Sequence, residues 1–285
     1  GTLKARGGEH GGRGGRIETS GAHLRTEKVI VDTGEGGEWL LDPYNYTITD
    51  NASLSFTAED IATNADGAQD VYVADMDRDG DLDIVSASFN DDTIAWYEND
   101  GNANPSYTKN VVATSAGGAY GIHVADMDGD GDLDIVSASM SDDTIAWYEN
   151  DGGADPSWTA ADIATSADGA ANVYVADLDS DGDLDIVSAS HLDNTIAWYE
   201  NDGAANPSWA AADITTSAGG AWDVHVADID SDGDLDIVSA SAVDDTIAWY
   251  ENDGNADPSW TAADIATSAA GARGVYVADL DSDGD

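Results

Sequence analysis

The string Asp-x-Asp-x-Asp-Gly-Asp-x-Asp fills residues 75–83 and starts again at 126, 177, 228 and 279, each start 51 residues after the one before. A fixed period of this length means one supersecondary unit stacked many times, since a single unit cannot bury its own apolar face. The chain is thereby restricted to repeat architectures. The same string restricts what the loops do: carboxylates this close repel one another strongly unless a cation lies between them.

The candidate ligands follow from position. Calcium takes ~6–8 oxygens at ~2.3–2.6 Å in irregular geometry, which suits a short carboxylate loop. In the first copy Asp75, Asp77 and Asp79 are expected to point inward, Asp81 to offer its backbone carbonyl, and Asp83 to close the shell. Gly80 supplies a turn with positive φ that a side chain would resist. The same roles fall to Asp126, Asp128, Asp130, Asp132 and Asp134, then to Asp177, Asp179, Asp181, Asp183 and Asp185. They fall next to Asp228, Asp230, Asp232, Asp234 and Asp236, and in a truncated last copy to Asp279, Asp281, Asp283 and Asp285. One calcium per loop, up to five, is the expectation. The chain has no cysteine and no histidine inside a loop, which argues against zinc or copper. Magnesium, stricter in geometry, is second choice.

An EF-hand is excluded because position 12 is Ser86 rather than a bidentate Glu. The continuation Ile84-Val85-Ser86-Ala87-Ser88 and the preceding Val71-Tyr72-Val73-Ala74 both suit strands. The loop therefore sits at the turn of a β-hairpin.

Each 51-residue unit holds four short strands. In the third they begin near Trp158 and continue at Val173–Ala176, Asp185–Ser190 and Thr195–Glu200, closed by the turn Asn201-Asp202-Gly203. Four antiparallel strands per ~50 residues make a β-propeller blade, and a β-helix coil is the runner-up. The fold class expected is all-β. The run Asp-Gly-Asp-Leu-Asp-Ile-Val-Ser-Ala-Ser, followed by Asp-Asp-Thr-Ile-Ala-Trp-Tyr-Glu-Asn-Asp-Gly, resembles the FG-GAP/VCBS repeats related to the integrin α-subunit propeller. That resemblance, over about residues 56–285, implies a calcium-stapled propeller, commonly seven-bladed, used outside cells for adhesion or carbohydrate contact. The units are 56–106, 107–157, 158–208, 209–259 and a partial 260–285. The Phe-Gly and Gly-Ala-Pro tags of the family are not recognisable here. With fewer units than seven, the chain is expected to be a fragment whose open blade edges favour self-association.

Residues 1–55 differ in composition. Six of the nine basic residues lie in the first 28 positions, among many glycines. Gly-Gly-Arg-Ile-Glu-Thr-Ser-Gly at 14–21, Val31-Asp32-Thr33 and Trp39-Leu40-Leu41-Asp42-Pro43-Tyr44 resemble a stretch of filamentous-haemagglutinin-like exoproteins, over roughly 12–50. There it follows a β-helix exported by two-partner secretion, which implies a β-rich end segment and a large secreted bacterial surface protein.

With 58 acidic and 9 basic residues the formal charge is −49, so nucleic acid and anionic membranes are poor partners. No apolar run approaches the ~20 residues of a membrane-spanning helix. Extracellular calcium modules bind at ~10⁻⁴–10⁻³ M, which favours an extracellular address.

Other features have plainer readings. Trp96, Trp147, Trp198 and Trp249 recur at one slot, and Phe56, Tyr107, Trp158, Trp209 and Trp260 at another. Such aromatics can stack on sugars, but packing between blades is the favoured role. His123 and His225 share a slot with Tyr72, Tyr174 and Tyr276, which is a packing position. The pairs Asp91–Asp92, Asp142–Asp143 and Asp244–Asp245 are copied with the repeat, as turns are and active sites are not. No catalytic constellation stands out, so no enzyme is expected. The expected function is calcium-dependent extracellular adhesion to a protein or glycan ligand. A lectin, or an accessory module of a secreted enzyme, is the alternative.

Overall fold

The computed structural model describes residues 59–280, together with four short strands ahead of them. Those four are β1 (Thr2–Lys4), β2 (Ile17–Glu18), β3 (Ile30–Asp32) and β4 (Trp39–Leu40). β1 pairs in parallel with β3, and β2 with β4. They belong to a compact unit covering Gly1–Glu59, and the repeats form a second covering Asp60–Asp285. Most of the haemagglutinin-like stretch lies outside the described residues.

The repeat unit is all-β, with no helix among the described residues. Its first sheet consists of β5 (Ala68–Ala74), β6 (Asp83–Ser88), β7 (Thr93–Asn99) and β8 (Tyr107–Ala113). The second consists of β9 (Ala119–Ala125), β10 (Asp134–Ser139), β11 (Thr144–Asn150) and β12 (Trp158–Ala164). The third holds β13 (Ala170–Ala176), β14 (Asp185–Ser190), β15 (Thr195–Asn201) and β16 (Trp209–Thr215). The fourth holds β17 (Ala221–Ala227), β18 (Asp236–Ser241), β19 (Thr246–Asn252) and β20 (Trp260–Ala266). Strand order within each sheet is sequential and antiparallel. These are four blades of a partial propeller.

The blade frame differs in phase from the repeat frame drawn on sequence. The strand that begins at Trp158 closes the second sheet, pairing Trp158 with Asn150 across the Asp151-Gly152 turn. It does not open the third. The loop 151–157 holds its flanking strands in one hairpin, Asp151 N donating to Ser157 O at 3.2 Å and Ser157 N to Asp151 Oδ1 at 3.0 Å, whereas the link from Ala164 to Ala170 crosses to the next sheet.

Burial peaks at the second strand of each blade and is lower on the first strand and lowest on the outer one. The second strand of each blade, Asp-Ile-Val-Ser-Ala-Ser, is covered on both faces, while the outermost, such as Trp209–Thr215, is mostly exposed. The core lies between consecutive blades rather than inside any one. Val85, Ile94 and Trp96 of the first blade pack against Ile122, Val124, Ile135 and Tyr148 of the second. Val136 and Trp147 meet Val173, Val175 and Ile186 at the next joint, and Val187 and Trp198 meet Val224, Val226 and Ile237 at the third. Small Ser and Ala residues on the central strand let these indoles approach the sheet. Val71 and Val73, the counterparts of Ile122 and Val124 on the first strand of the array, are 60% and 52% exposed.

The first strand of every blade lines the axis. There the Tyr/His slot forms a ladder: Tyr72 to His123 at 5.2 Å between ring centroids, His123 to Tyr174 at 4.8 Å, Tyr174 to His225 at 4.8 Å, and His225 to Tyr276 at 4.7 Å. Burial holds the His123 imidazole down at about 4, with His225 adding to the effect. Burial thus favours the neutral form of His123 and of His225, and the ladder acts as packing.

Candidate metal centres

Each aspartate loop joins the inner strand of a blade to its second strand, so all of them follow the same end of the axial strands. The chain reverses through two left-handed residues. One is the predicted glycine: Gly80, Gly131, Gly182 and Gly233 have φ of 96°, 93°, 102° and 103°. The other is position 4, where Arg78, Gly129, Ser180 and Ser231 have φ of 62°, 71°, 61° and 62°. The second was not anticipated, since a position occupied by Arg or Ser carries no glycine signal.

The carboxylates are organised by the loop backbone. Asp75 Oδ2 accepts the Gly80 N–H at 3.0 Å, Asp77 Oδ1 accepts from Asp79 N at 3.2 Å, and Asp79 Oδ1 accepts from Asp81 N at 2.9 Å. The pattern repeats in the second loop, where Gly131, Asp130 and Asp132 donate to Asp126, Asp128 and Asp130. One oxygen of the first aspartate is left over. Asp75 Oδ1, Asp126 Oδ1 and Asp177 Oδ1 are buried with no hydrogen-bond partner. In the fourth loop the equivalent oxygen of Asp228 accepts from Asp232 N at 3.1 Å.

Three carboxylates per loop have oxygens within 4.8 Å of one another, close enough to hold a metal ion. Positions 1 and 3 take part every time. Position 5 completes the group in the second and third loops (Asp130, Asp181), and position 9 in the first and fourth (Asp83, Asp236). Position 7 takes part in none. Asp81, Asp132, Asp183 and Asp234 instead lie against the glycines of the Asn-Asp-Gly turns, Gly101, Gly152, Gly203 and Gly254, where a Cβ would collide with the carboxylate. The position-7 side chains are thus held at these turns, apart from the three carboxylates grouped in each loop. Asp132 also meets Arg78 of the preceding loop at 2.6 Å. Asp281, Asp283 and Asp285 lie outside the described residues.

Position 9 also has a structural role. Asp134 is 1% exposed, and its two oxygens accept from Met127 N at 3.1 Å and Asn150 N at 2.8 Å. It ties the start of the metal loop to the turn after the third strand. Burial pushes the Asp134 and Asp185 carboxyls up to about 7, against the lowering effect of these hydrogen bonds. Asp77, Asp128 and Asp179 are also raised, first by burial and then by neighbouring carboxylates.

A residue missed on sequence connects the centres. Asn150 Nδ2 donates to Leu133 O of its own loop at 3.0 Å and to Met76 O of the preceding loop at 3.1 Å. Asn201 does the same to Leu184 O and Met127 O, and Asn252 to Leu235 O and Leu178 O. Each is at most 2% exposed. In sequence they look like ordinary turn residues.

The two aromatic slots differ in burial. Trp96, Trp147 and Trp198 are 1–4% exposed inside the joints, and Trp158, Trp209 and Trp260 pack against the same clusters from the outer strand. Trp96, Trp147 and Trp198 are packing residues, while Trp158, Trp209, Trp249 and Trp260 are only partly buried. The Asp-Asp pairs are turns: Asp92, Asp143 and Asp245 have φ of 51°, 61° and 60°. They bind the next blade, Asp92 Oδ1 accepting from Gly118 N at 2.8 Å.

The model of the FG-GAP-like repeat matches residues 75–137, 126–188, 177–239 and 230–285, well over half of the chain. The chain belongs to the FG-GAP-like repeat family. No curated protein matches it. Among solved structures it is similar to an Agrocybe aegerita lectin described as recognising non-reducing terminal N-acetylglucosamine, at 20% identity and TM-score 0.46, over 70% of this chain and 52% of the lectin. It is also similar to a Lactobacillus plantarum protein, at 16% identity and TM-score 0.49, over 70% of this chain and 57% of that one. A third is the V. cholerae biofilm matrix protein Bap1, at 18% identity and TM-score 0.37, over 68% and 39% of the two chains. This FG-GAP-like chain thus spans about half the length of the structures it resembles, or less.

Proposed function

We propose that this FG-GAP-like array is a non-catalytic, calcium-binding module of a large secreted bacterial surface protein, which contacts a protein or glycan ligand outside the cell. The observation that carries the calcium reading is the orphaned oxygen at position 1. Asp75, Asp126 and Asp177 each bury one carboxylate oxygen with no donor, beside two further carboxylates. Such an atom is expensive to leave unpaired, and a cation satisfies it directly. The donor set is all oxygen, which suits calcium over softer metals.

Calcium here is structural. It screens the repulsion within each loop and stiffens the hairpin that Asn150, Asn201 and Asn252 tie to the neighbouring blade. At 100 times Kd an independent site adds ~2.7 kcal/mol, so a few sites decide whether the array is folded. A full ring of about seven blades, with the exposed Val71 and Val73 face covered by another blade or another copy, belongs to the same proposal.

The test is thermal unfolding in about 2 mM calcium, a concentration above the range of extracellular sites, and then in excess chelator. The expected result is a large fall in midpoint under chelator, restored by calcium and not by equal magnesium. Superimposable melts would refute the calcium role and with it the extracellular address.

A further inference from the structure

The position-9 aspartates and the inter-blade asparagines belong to one continuous hydrogen-bonded line. Within a blade, each position-9 carboxylate holds two backbone amides: that of the position-2 residue of its own loop and that of the asparagine ending the third strand. Asp83 accepts from Met76 N at 3.0 Å and Asn99 N at 2.8 Å, and Asp134 from Met127 N and Asn150 N. Asp185 accepts from Leu178 N at 3.1 Å and Asn201 N at 2.9 Å, and Asp236 from Ile229 N at 3.1 Å and Asn252 N at 2.8 Å. Between blades, Asn150, Asn201 and Asn252 donate their side-chain amides to the position-2 carbonyls of the preceding loops, Met76 O, Met127 O and Leu178 O.

Joined end to end, these bonds run from Asp83 through Met76 and Asn150 to Asp134, then through Met127 and Asn201 to Asp185, and through Leu178 and Asn252 to Asp236. The position-2 peptide is the shared member of each step. Its N–H is held by its own loop and its C=O by the next blade. The line is kept from water: Met76, Met127 and Leu178 are 1–2% exposed, and Asp83, Asp134, Asp185 and Asp236 are each 1% exposed. Hydrogen bonds shielded in this way are stronger than their counterparts in water.

Comparison of the loops shows what this clamp goes with. In the first three, whose position-2 carbonyl receives an asparagine, the position-1 oxygen has no donor, at Asp75, Asp126 and Asp177. In the fourth, among the described residues, no asparagine reaches Ile229 O, and Asp228 Oδ1 accepts from Asp232 N at 3.1 Å. That loop has closed on its own carboxylate. The third and fourth loops differ only at position 2, Leu178 against Ile229, so no ligand residue accounts for the change. Two arrangements of one loop are thus present in one molecule, one clamped with a ligand oxygen free and one unclamped with that oxygen bonded to backbone.

We propose that calcium fills these loops cooperatively, each loop coupled to its neighbour, with Asn150, Asn201 and Asn252 as the coupling residues. A cation in the third loop stiffens segment 177–185, whose Leu184 and Asp185 carry Asn201. Asn201 in turn holds the second loop in the form with a free oxygen. By linkage, a cation in the second loop favours the third to the same degree. Such coupling requires an element with two arrangements that both sites bias, and the loop itself is that element. Charge works the other way, because each bound cation weakens the field that draws the next. That opposing effect is screened over about 8 Å at physiological salt, whereas buried interactions are screened much less. The coupling rests on the calcium reading proposed above and adds that the array responds to calcium as a row rather than as separate loops.

The test counts bound calcium by equilibrium dialysis of the full chain. The temperature is one at which circular dichroism shows the same sheet with and without chelator, with trimethylamine N-oxide added where the chelated chain needs it to stay folded. Coupling of about fivefold per joint, the low end for linked sites, gives a Hill coefficient of about 1.5 or more for four sites in a row. Asp75→Asn and Asp177→Asn make the same chemical change at the end and in the interior of that row, each removing about one equivalent. The Asp75 variant should keep most of the steepness, while the Asp177 variant should fall towards a coefficient of 1. Cooperativity arising only from global folding would treat the two alike. Asn201→Ala should lower the coefficient with the number of sites kept, and Asn99→Ala, which clamps no preceding loop among the described residues, should leave it unchanged. Identical isotherms for the two aspartate variants, or a wild-type coefficient of 1 at full stoichiometry, overturn the coupling and leave the calcium reading standing. No calcium uptake at all overturns both.

Discussion

Asn201→Ala is the sharpest probe of how the blades hold one another. The side chain is 2% exposed and makes three hydrogen bonds: Nδ2 to Met127 O at 2.9 Å, Nδ2 to Leu184 O at 3.1 Å, and Oδ1 from Gly203 N at 3.0 Å. A net hydrogen bond is worth about 1 kcal/mol, and a buried group left without a partner costs about 1–3 kcal/mol. Removing all three, with Met127 O stranded in the joint, gives a loss of about 3–5 kcal/mol. Asn99 is the internal control. It makes the bonds to Leu82 O at 2.9 Å and from Gly101 N at 3.1 Å, with no bond to a preceding blade among the described residues, and it is only half-buried. Asn99→Ala should therefore lose about 1–2 kcal/mol, its groups reaching water more readily. Urea unfolding followed by tryptophan fluorescence reads the difference. At a slope of about 3 kcal/mol/M, the joint that Asn201 closes should lose roughly 1 M or more of midpoint. In an array of nearest-neighbour joints, the loss should also split a single transition into two. Equal shifts for the two variants would refute the idea that the asparagine clamps neighbouring blades.

Three further outcomes are expected. Gly203→Ala places a Cβ against the Asp183 carboxylate at a residue with φ of 65°. It should cost more than Gly182→Ala, where φ is 102° but nothing lies within 4 Å; paired thermal melts measure the gap. Asp177→Asn removes charge at a buried orphan oxygen and should abolish about one calcium equivalent in a titration while leaving the others. Asp134 and Asp185 have folded pKa values of about 7 against an ordinary 3.8. Chelated protein should thus hold their contribution below about pH 3.8 and lose it as pH rises through 7, because the neutral form is the one favoured by folding. Added calcium should reverse the slope over the same window, and melts at pH 5 and 8 with and without metal decide it.

Much of this was visible in the letters. The 51-residue period, the hairpin around each aspartate loop, the turn glycine and the packing of Trp96, Trp147 and Trp198 follow from spacing and residue type, and the structure carries all of them. The blade's phase was not legible, because an Asn-Asp-Gly turn can close a unit or sit inside one. Pairing between Asn150 and Trp158 resolves it. The inter-blade clamp was hidden for a related reason. Asn201 has an obvious local job at its turn, and nothing in a linear sequence shows that its amide also reaches residue 127. The divergence at Gln69, Tyr120, Ala171, Trp222 and Arg273 was in plain view, but only strand order brings these five distant residues around one cavity.

The near-identity of the joints bears on how such a chain changes over generations. Val85 with Trp96, Val136 with Trp147 and Val187 with Trp198 each meet a Val or Ile pair on the following blade. A recombination that inserts or deletes one 51-residue unit joins a familiar donor face to a familiar acceptor face, so every seam is already fitted. What such an event alters is the cast of residues around that cavity. Within the array any unit can thus follow any other, without a new interface having to be invented.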